Sequence, residues 1–148
     1  MNLAAFDAYL RGRALYDLAA DEASEAAAMA QFDAAIAADP AYAAAHAARA
    51  RSLTTIANQY GDVGRRAGLY DAAIAAAERA IAIAPDLAAA HSTLGFTLFQ
   101  GRLDARAARQ PFERSVLSGS GEATVLARYA QYSARTGRDS EAGTAMTR

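Results

Sequence analysis

Three decapeptides repeat one pattern of residue size along this chain of 148 residues: QFDAAIAADP ending at Pro40, AAERAIAIAP ending at Pro85 and PFERSVLSGS ending at Ser120. Twelve places before those end points stand Ala28, Ala73 and Ala108. Eight places before stand Phe32, Ala77 and Phe112, and five before stand Ala35, Ala80 and Ser115. The residues after each end point repeat as well. AYAAAHAARARSL, DLAAAHSTLGFTL and GEATVLARYAQYS each open a second kind of helix, with His46, His91 and Leu126 at one equivalent place. Ala50, Gly95 and Ala130 share another, and Gly12 of YLRGRALY joins that series. A recurrence of this kind leaves few options, because each helix pair can bury its apolar face only against its neighbours in a stack.

Composition agrees with that constraint. About 30% of the residues are alanine, well above ordinary usage. Alanine is the best helix former, and β-favouring valine is scarce, so the chain reads as all-α. Alanine buries little area, so the core must come from closely spaced backbones. Gly95 fits this demand. A glycine inside a helix costs roughly 1 kcal/mol against alanine, and it is tolerated where a neighbour comes too close for a Cβ. The step from Pro85 to Ser120 is 35 residues and that from Pro40 to Pro85 is 45. QYGDVGRRAGL (59–69), with its three glycines, supplies the extra length as an insertion of about eleven residues.

The pattern resembles the tetratricopeptide repeat (TPR), a helix–turn–helix unit of 34 residues. His91, Leu94, Gly95, Leu98, Ala108, Phe112 and Ser115 occupy its signature places in residues 88–120, and Tyr129, Ala130, Gly137 and the Glu141–Ala142 pair those of the last unit. The resemblance implies an α-solenoid wound as a right-handed superhelix. It implies one domain over 1–148, with units near 4–40, 41–85, 86–120 and an incomplete 121–148. Helices are expected near 4–19, 23–38, 41–59, 66–83, 87–100, 104–117, 122–135 and 139–147.

Three residues depart from the repeat. Arg49 stands where Leu94 stands in the next unit, so either the register slips or Arg49 snorkels outward. Ser120 replaces the closing proline. Pro111 lies inside a helix-forming stretch; the alignment predicts a continuous, bent helix through it with the Ala107 carbonyl freed to solvent. The alternative is a helix starting only at Gln110. The last helix ends at Arg148 without a polar capping helix, so the chain is expected to be part of a longer protein or to self-associate. YLRGRALY, the AxxxFxxAIAxDPxYAxAH run and the insertion together are similar to repeat regions that accompany bacterial nucleotide cyclases or winged-helix transcriptional regulators. That likeness implies a regulatory part of a signalling protein.

Little in the sequence points to catalysis. The absence of cysteine removes thiolate sites and disulfides. A formal net charge of −1 gives no general attraction to nucleic acid or anionic membrane. No apolar run reaches membrane-spanning length and no leader pattern opens the chain, so it reads as cytoplasmic. His46 and His91 lack further ligands for a metal and are read as packing residues. GDVGRRAG (61–68) lacks the lysine and hydroxyl of a phosphate-binding loop and reads as an inter-helix loop. Arg102, Arg106 and Arg109 recur at helical spacing and are expected to share one solvated face. No carboxylate pair or Ser–His–Asp set stands out. The chain is expected to be a non-enzyme without cofactor or metal.

In stacked repeats the first helix of each pair lines the inner surface, and the family resemblance implies a peptide or partner domain held there. Counting outward from Gly12, Ala50, Gly95 and Ala130 gives a lining of Tyr9, Arg13, Tyr16, Arg51, Thr55, Phe96, Phe99, Gln100, Gln131 and Arg135, with Asn58 near the edge. Aromatic and arginine residues are those enriched at binding hot spots. The surplus of arginine over carboxylate suggests an acidic partner, since guanidinium pairs with carboxylate bidentately. The lysine-and-asparagine carboxylate clamp of chaperone-binding family members is absent. Two other readings stay open: a sensor for a small anionic metabolite at Arg65 and Arg66, and a homodimer through the final helix.

Overall fold

The structure, a computed structural model, describes residues 2–137. Among the described residues seven helices follow one another: α1 (Leu3–Leu18), α2 (Glu22–Ala38), α3 (Ala43–Gln59), α4 (Val63–Ile83), α5 (Ala88–Phe96), α6 (Ala105–Gly119) and α7 (Ala123–Arg135). A π-helical turn, Thr97–Gly101, extends α5. No strand occurs among the described residues. The chain is an α-solenoid in which α1–α2, α3–α4 and α5–α6 are antiparallel pairs and α7 opens a fourth unit. The expected helix over 139–147 and the Glu141–Ala142 places lie outside the described residues.

The three repeated faces become the core. Ala28, Phe32 and Ala35 of α2, Ala73, Ala77 and Ala80 of α4, and Ala108, Phe112 and Ser115 of α6 are all buried to within 1%. Side-chain size is balanced across each pair. Where the second helix carries phenylalanine, the first carries glycine. A Cβ on Gly12 would stand 2.6 Å from the Phe32 ring, and one on Gly95 would stand 2.9 Å from the Phe112 ring. The middle unit instead packs Ala50 with Ala77. Gly95 is therefore explained by close packing, since the two helices meet where only one large side chain fits.

The turns between units are built alike. Tyr42, Leu87 and Glu122 donate backbone N–H bonds to the carbonyls of Asp39, Ala84 and Gly119. Pro40 and Pro85 sit at the second position of those turns, where a fixed φ is favourable, and Ser120 adopts the same region with φ −61°. His46 and His91 do more than pack. Their Nε2 atoms lie 2.9 and 2.7 Å from the carbonyl oxygens of Pro40 and Pro85. A carbonyl only accepts, so each Nε2 carries the proton and ties the helix start to its turn.

Arg49 keeps the register of α3 and points outward, its Nε 2.6 Å from Asp33 Oδ1 on α2. The helix through Pro111 is continuous, with Asp104 as its N-cap. Ala107, whose carbonyl the proline cannot bond, is exposed. Two expectations fail. GDVGRRAG is not a loop: Asp62 caps α4 by accepting from the Arg65 N–H, so most of the insertion is helix. The arginine row is not one face either, because Arg102 precedes α6 and pairs with Asp71, while Arg109 pairs with Glu113.

After the π turn the chain leaves through Leu103, a non-glycine residue at φ +56°. The Asp104 N–H bonds to the Leu98 carbonyl at 2.9 Å, a closure in which glycine is the usual left-handed residue. Leu103 is also 84% exposed, so its side chain contributes no packing. Leu103→Gly is therefore expected to stabilise the fold by about 1 kcal/mol, by relieving the left-handed strain. Urea denaturation would show it as a higher midpoint at unchanged slope, and a lower midpoint would contradict the assignment.

Candidate functional site

The first helices of the units, α1, α3, α5 and α7, share one side of the solenoid. A pocket of about 280 Å³ opens there and takes its walls from all four. Tyr9 and Arg13 come from α1, Arg51 with three alanines from α3, Ser92 and Thr93 from α5, and Val125 and Arg128 from α7. The alanines explain the space, since Ala44, Ala47 and Ala48 leave a shallow floor between longer neighbours.

The arginines of this face share an unusual environment. Arg13 lies 5.9 Å from the Tyr9 ring centre, Arg51 3.9 Å from Tyr16, Arg128 4.6 Å from Phe96 and Arg135 5.3 Å from Phe99. All fall within the range of cation–π attraction. None of the four forms an ion pair among the described residues. Elsewhere, Arg11, Arg49, Arg65, Arg102, Arg109 and Arg114 each pair with a carboxylate. A ring beneath a guanidinium holds its orientation while leaving the N–H edge unused. Arg51 shows this directly, because its Nε is buried without a hydrogen-bond partner.

The expected lining residues divide into three groups. Tyr9, Arg13 and Arg51 are brought together at the pocket. Tyr16 and Thr55 adjoin it but bond to each other, hydroxyl to hydroxyl at 2.9 Å, so they orient Arg51. Phe96, Phe99 and Arg135 continue the face toward the later units. Phe99 packs edge-on against Tyr132 and Phe112, which makes it part core and part rim. Gln100 is half-buried in the π turn and Gln131 is exposed on α7. Asn58 is not in the pocket, because it accepts a hydrogen bond from the Tyr70 hydroxyl of α4.

Arg128 is the residue that the outward count from the small series misses. It stands three places before Gln131 and so lies on the same helix face. Burial pushes its guanidinium below the ordinary value; Tyr16 opposes that shift and the Arg51 charge adds to it. Its Nη1 reaches Ser92 Oγ and Thr93 Oγ1 at 3.4 and 3.3 Å, the long end of the hydrogen-bond range. Glu25 of α2 is a buried carboxyl with Oε2 unpartnered. Burial raises its pKa, and the Arg51 charge partly offsets this.

The metabolite reading at GDVGRRAG meets a different arrangement. Arg65 pairs with Glu22 at 2.5 Å, and Arg66 donates to the carbonyls of Ala57 and Gly61. Both arginines are spent on joining α4 to its neighbours. Among the described residues no group of three His, Asp or Glu side chains could hold a metal ion. No described helix is long and apolar enough to cross a membrane.

No family model matches the chain, and no curated protein matches it. Among solved structures it is similar to TTC0263, a thermophilic TPR protein of Thermus thermophilus. The TM-score is 0.79 at 17% identity, over 93% of this chain and 68% of that one. It is also similar to MamA from Desulfovibrio magneticus RS-1, with a TM-score of 0.65 at 20% identity over 97% of this chain and 72% of that one. A MamA RS-1 double mutant matches with the same TM-score and identity, over 97% and 71% of the two chains. At these identities the likeness is one of fold, a TPR-like solenoid.

Proposed function

We propose that this TPR-like chain is a protein-interaction module whose inner groove takes an acidic segment of a partner protein. One observation carries the reading: the inner-face arginines stand on aromatic rings, whereas Arg11, Arg49, Arg65, Arg102, Arg109 and Arg114 elsewhere each pair with a carboxylate. Guanidinium groups without a carboxylate partner are suited to carboxylates and other oxyanions. The rings beside them supply the apolar contact area typical of hot spots. In this reading the module is a cytoplasmic, non-catalytic scaffold or regulatory part of a bacterial signalling protein, as the narrower resemblance implies.

The test is binding of degenerate peptide pools, one rich in Asp and Glu and one rich in Lys, by fluorescence anisotropy. The acidic pool should bind and weaken as salt rises. Arg13→Glu, Arg51→Glu and Arg135→Glu together should weaken it at least about a hundredfold, since reversed charges repel the ligand. Helicity should stay unchanged. Equal binding of both pools, or undiminished binding by the triple variant, would remove the groove assignment.

A further inference from the structure

Within the groove, Arg51 of α3 and Arg128 of α7 line one pocket of about 280 Å³, so two like charges face the same space. Holding them together in a partly dehydrated pocket is unfavourable unless an anion joins them. No carboxylate of the described residues fills that role. Glu25, buried on α2, lies near enough to Arg51 for their charges to attract, yet the two form no ion pair and Glu25 Oε2 stays unpartnered. Glu122 stands exposed at the start of α7, on the pocket rim, with its Oε1 directed toward Gly119. Arg13 adds a third cation from α1.

We propose that this pocket binds one phosphoryl group, carried on a side chain of the partner segment that lies in the groove. The inference rests on the groove reading and names what this pocket recognises. Two features favour phosphoryl over carboxylate, and a third accommodates the side chain that carries it. The first is charge: Arg13, Arg51 and Arg128 form no ion pair among the described residues, and a phosphoryl group, at about −1.5 to −2, offsets more of their charge than one carboxylate does. The second is direction. The donors come from α1, α3 and α7, with the Ser92 and Thr93 hydroxyls on α5. A tetrahedral group offers three acceptor oxygens to such a ring of donors, while a carboxylate offers two in one plane. The third is the wall. Ala44, Ala47, Ala48 and Leu87 give apolar surface for the carbon stem that carries the group.

Three degenerate nonapeptide pools, identical except for a central phosphoserine, glutamate or serine, test this by anisotropy. The phosphoserine pool should bind about tenfold or more tighter than the glutamate pool at pH 7.5, because two charges and three acceptors replace one and two. Lowering the pH to 5.5 should shrink that advantage, since the second phosphoryl ionisation lies near pH 6, well above that of glutamate at about 4.3. Arg51→Gln and Arg128→Gln should each abolish the phosphoserine preference with helicity intact. Arg106→Gln, exposed on α6 and outside the groove, should leave it unchanged. Equal binding of the phosphoserine and glutamate pools, with no pH effect, would overturn the phosphoryl assignment and leave the groove reading standing. Failure of all three pools to bind would overturn both. Free O-phosphoserine binding as tightly as the phosphopeptide pool would overturn the peptide carrier, pointing to a small phosphorylated metabolite instead.

Discussion

Phe112→Ala is expected to cost about 3–5 kcal/mol of folding free energy, and to reverse the sign of a second substitution 17 residues away. In the parent chain Gly95→Ala should destabilise by about 1–3 kcal/mol, because its Cβ would press on the root of a ring that cannot move aside. That ring is fully buried and stacked on Tyr132 at 4.8 Å between centroids. Once the ring is gone, the same alanine should stabilise by about 1 kcal/mol, keeping its helix propensity and filling part of the cavity. The double variant then carries the Ala50–Ala77 arrangement that the second unit already uses. A double-mutant cycle in urea measures the coupling. Additivity within about 0.5 kcal/mol would show that the two sites do not share space.

Phe32→Ala removes the same ring from the same place in the first unit, and a loss of about 3–5 kcal/mol is again expected. Its consequence should differ. In a solenoid each unit is stabilised by its nearest neighbours, and α1 packs mainly on α2 with only a small contact to α3. The loss should therefore appear as local opening of α1–α2, with amide exchange there faster by roughly a hundredfold to several thousandfold. Protection in α5 and α6 should hardly change. Phe112, by contrast, joins α5, α6 and α7 through Phe99 and Tyr132, and its loss should lower protection across those helices. Uniform loss of protection in Phe32→Ala would contradict nearest-neighbour stability. Because Tyr9 and Arg13 ride on α1, the same variant should also weaken peptide binding at the groove.

The order of helices, their pairing and the nine core places were legible in the sequence. Each depends on spacing within a single helix and on side-chain size, which the residues carry locally. Gly12 opposite Phe32 and Gly95 opposite Phe112 belong to the same local logic, because a missing Cβ and a large ring are written in the chain. The direction of the inner face was also legible, and with it Tyr9, Arg13 and Arg51. The partners of the polar groups were not. Asp62 turned a glycine-rich insertion into the start of α4, since one N-cap bond outweighs the weak coil preference of the glycines. Glu22 reached Arg65 from 43 residues away, and Asp71 drew Arg102 off the α6 face. Tyr70 took Asn58 out of the lining. Arg128 entered the pocket only because α7 packs beside α5, where Ser92 and Thr93 meet it. An arginine's choice between a carboxylate and an aromatic ring depends on which group the folded chain brings within a few ångströms. For the groove arginines, that choice was made by the stacking of the units.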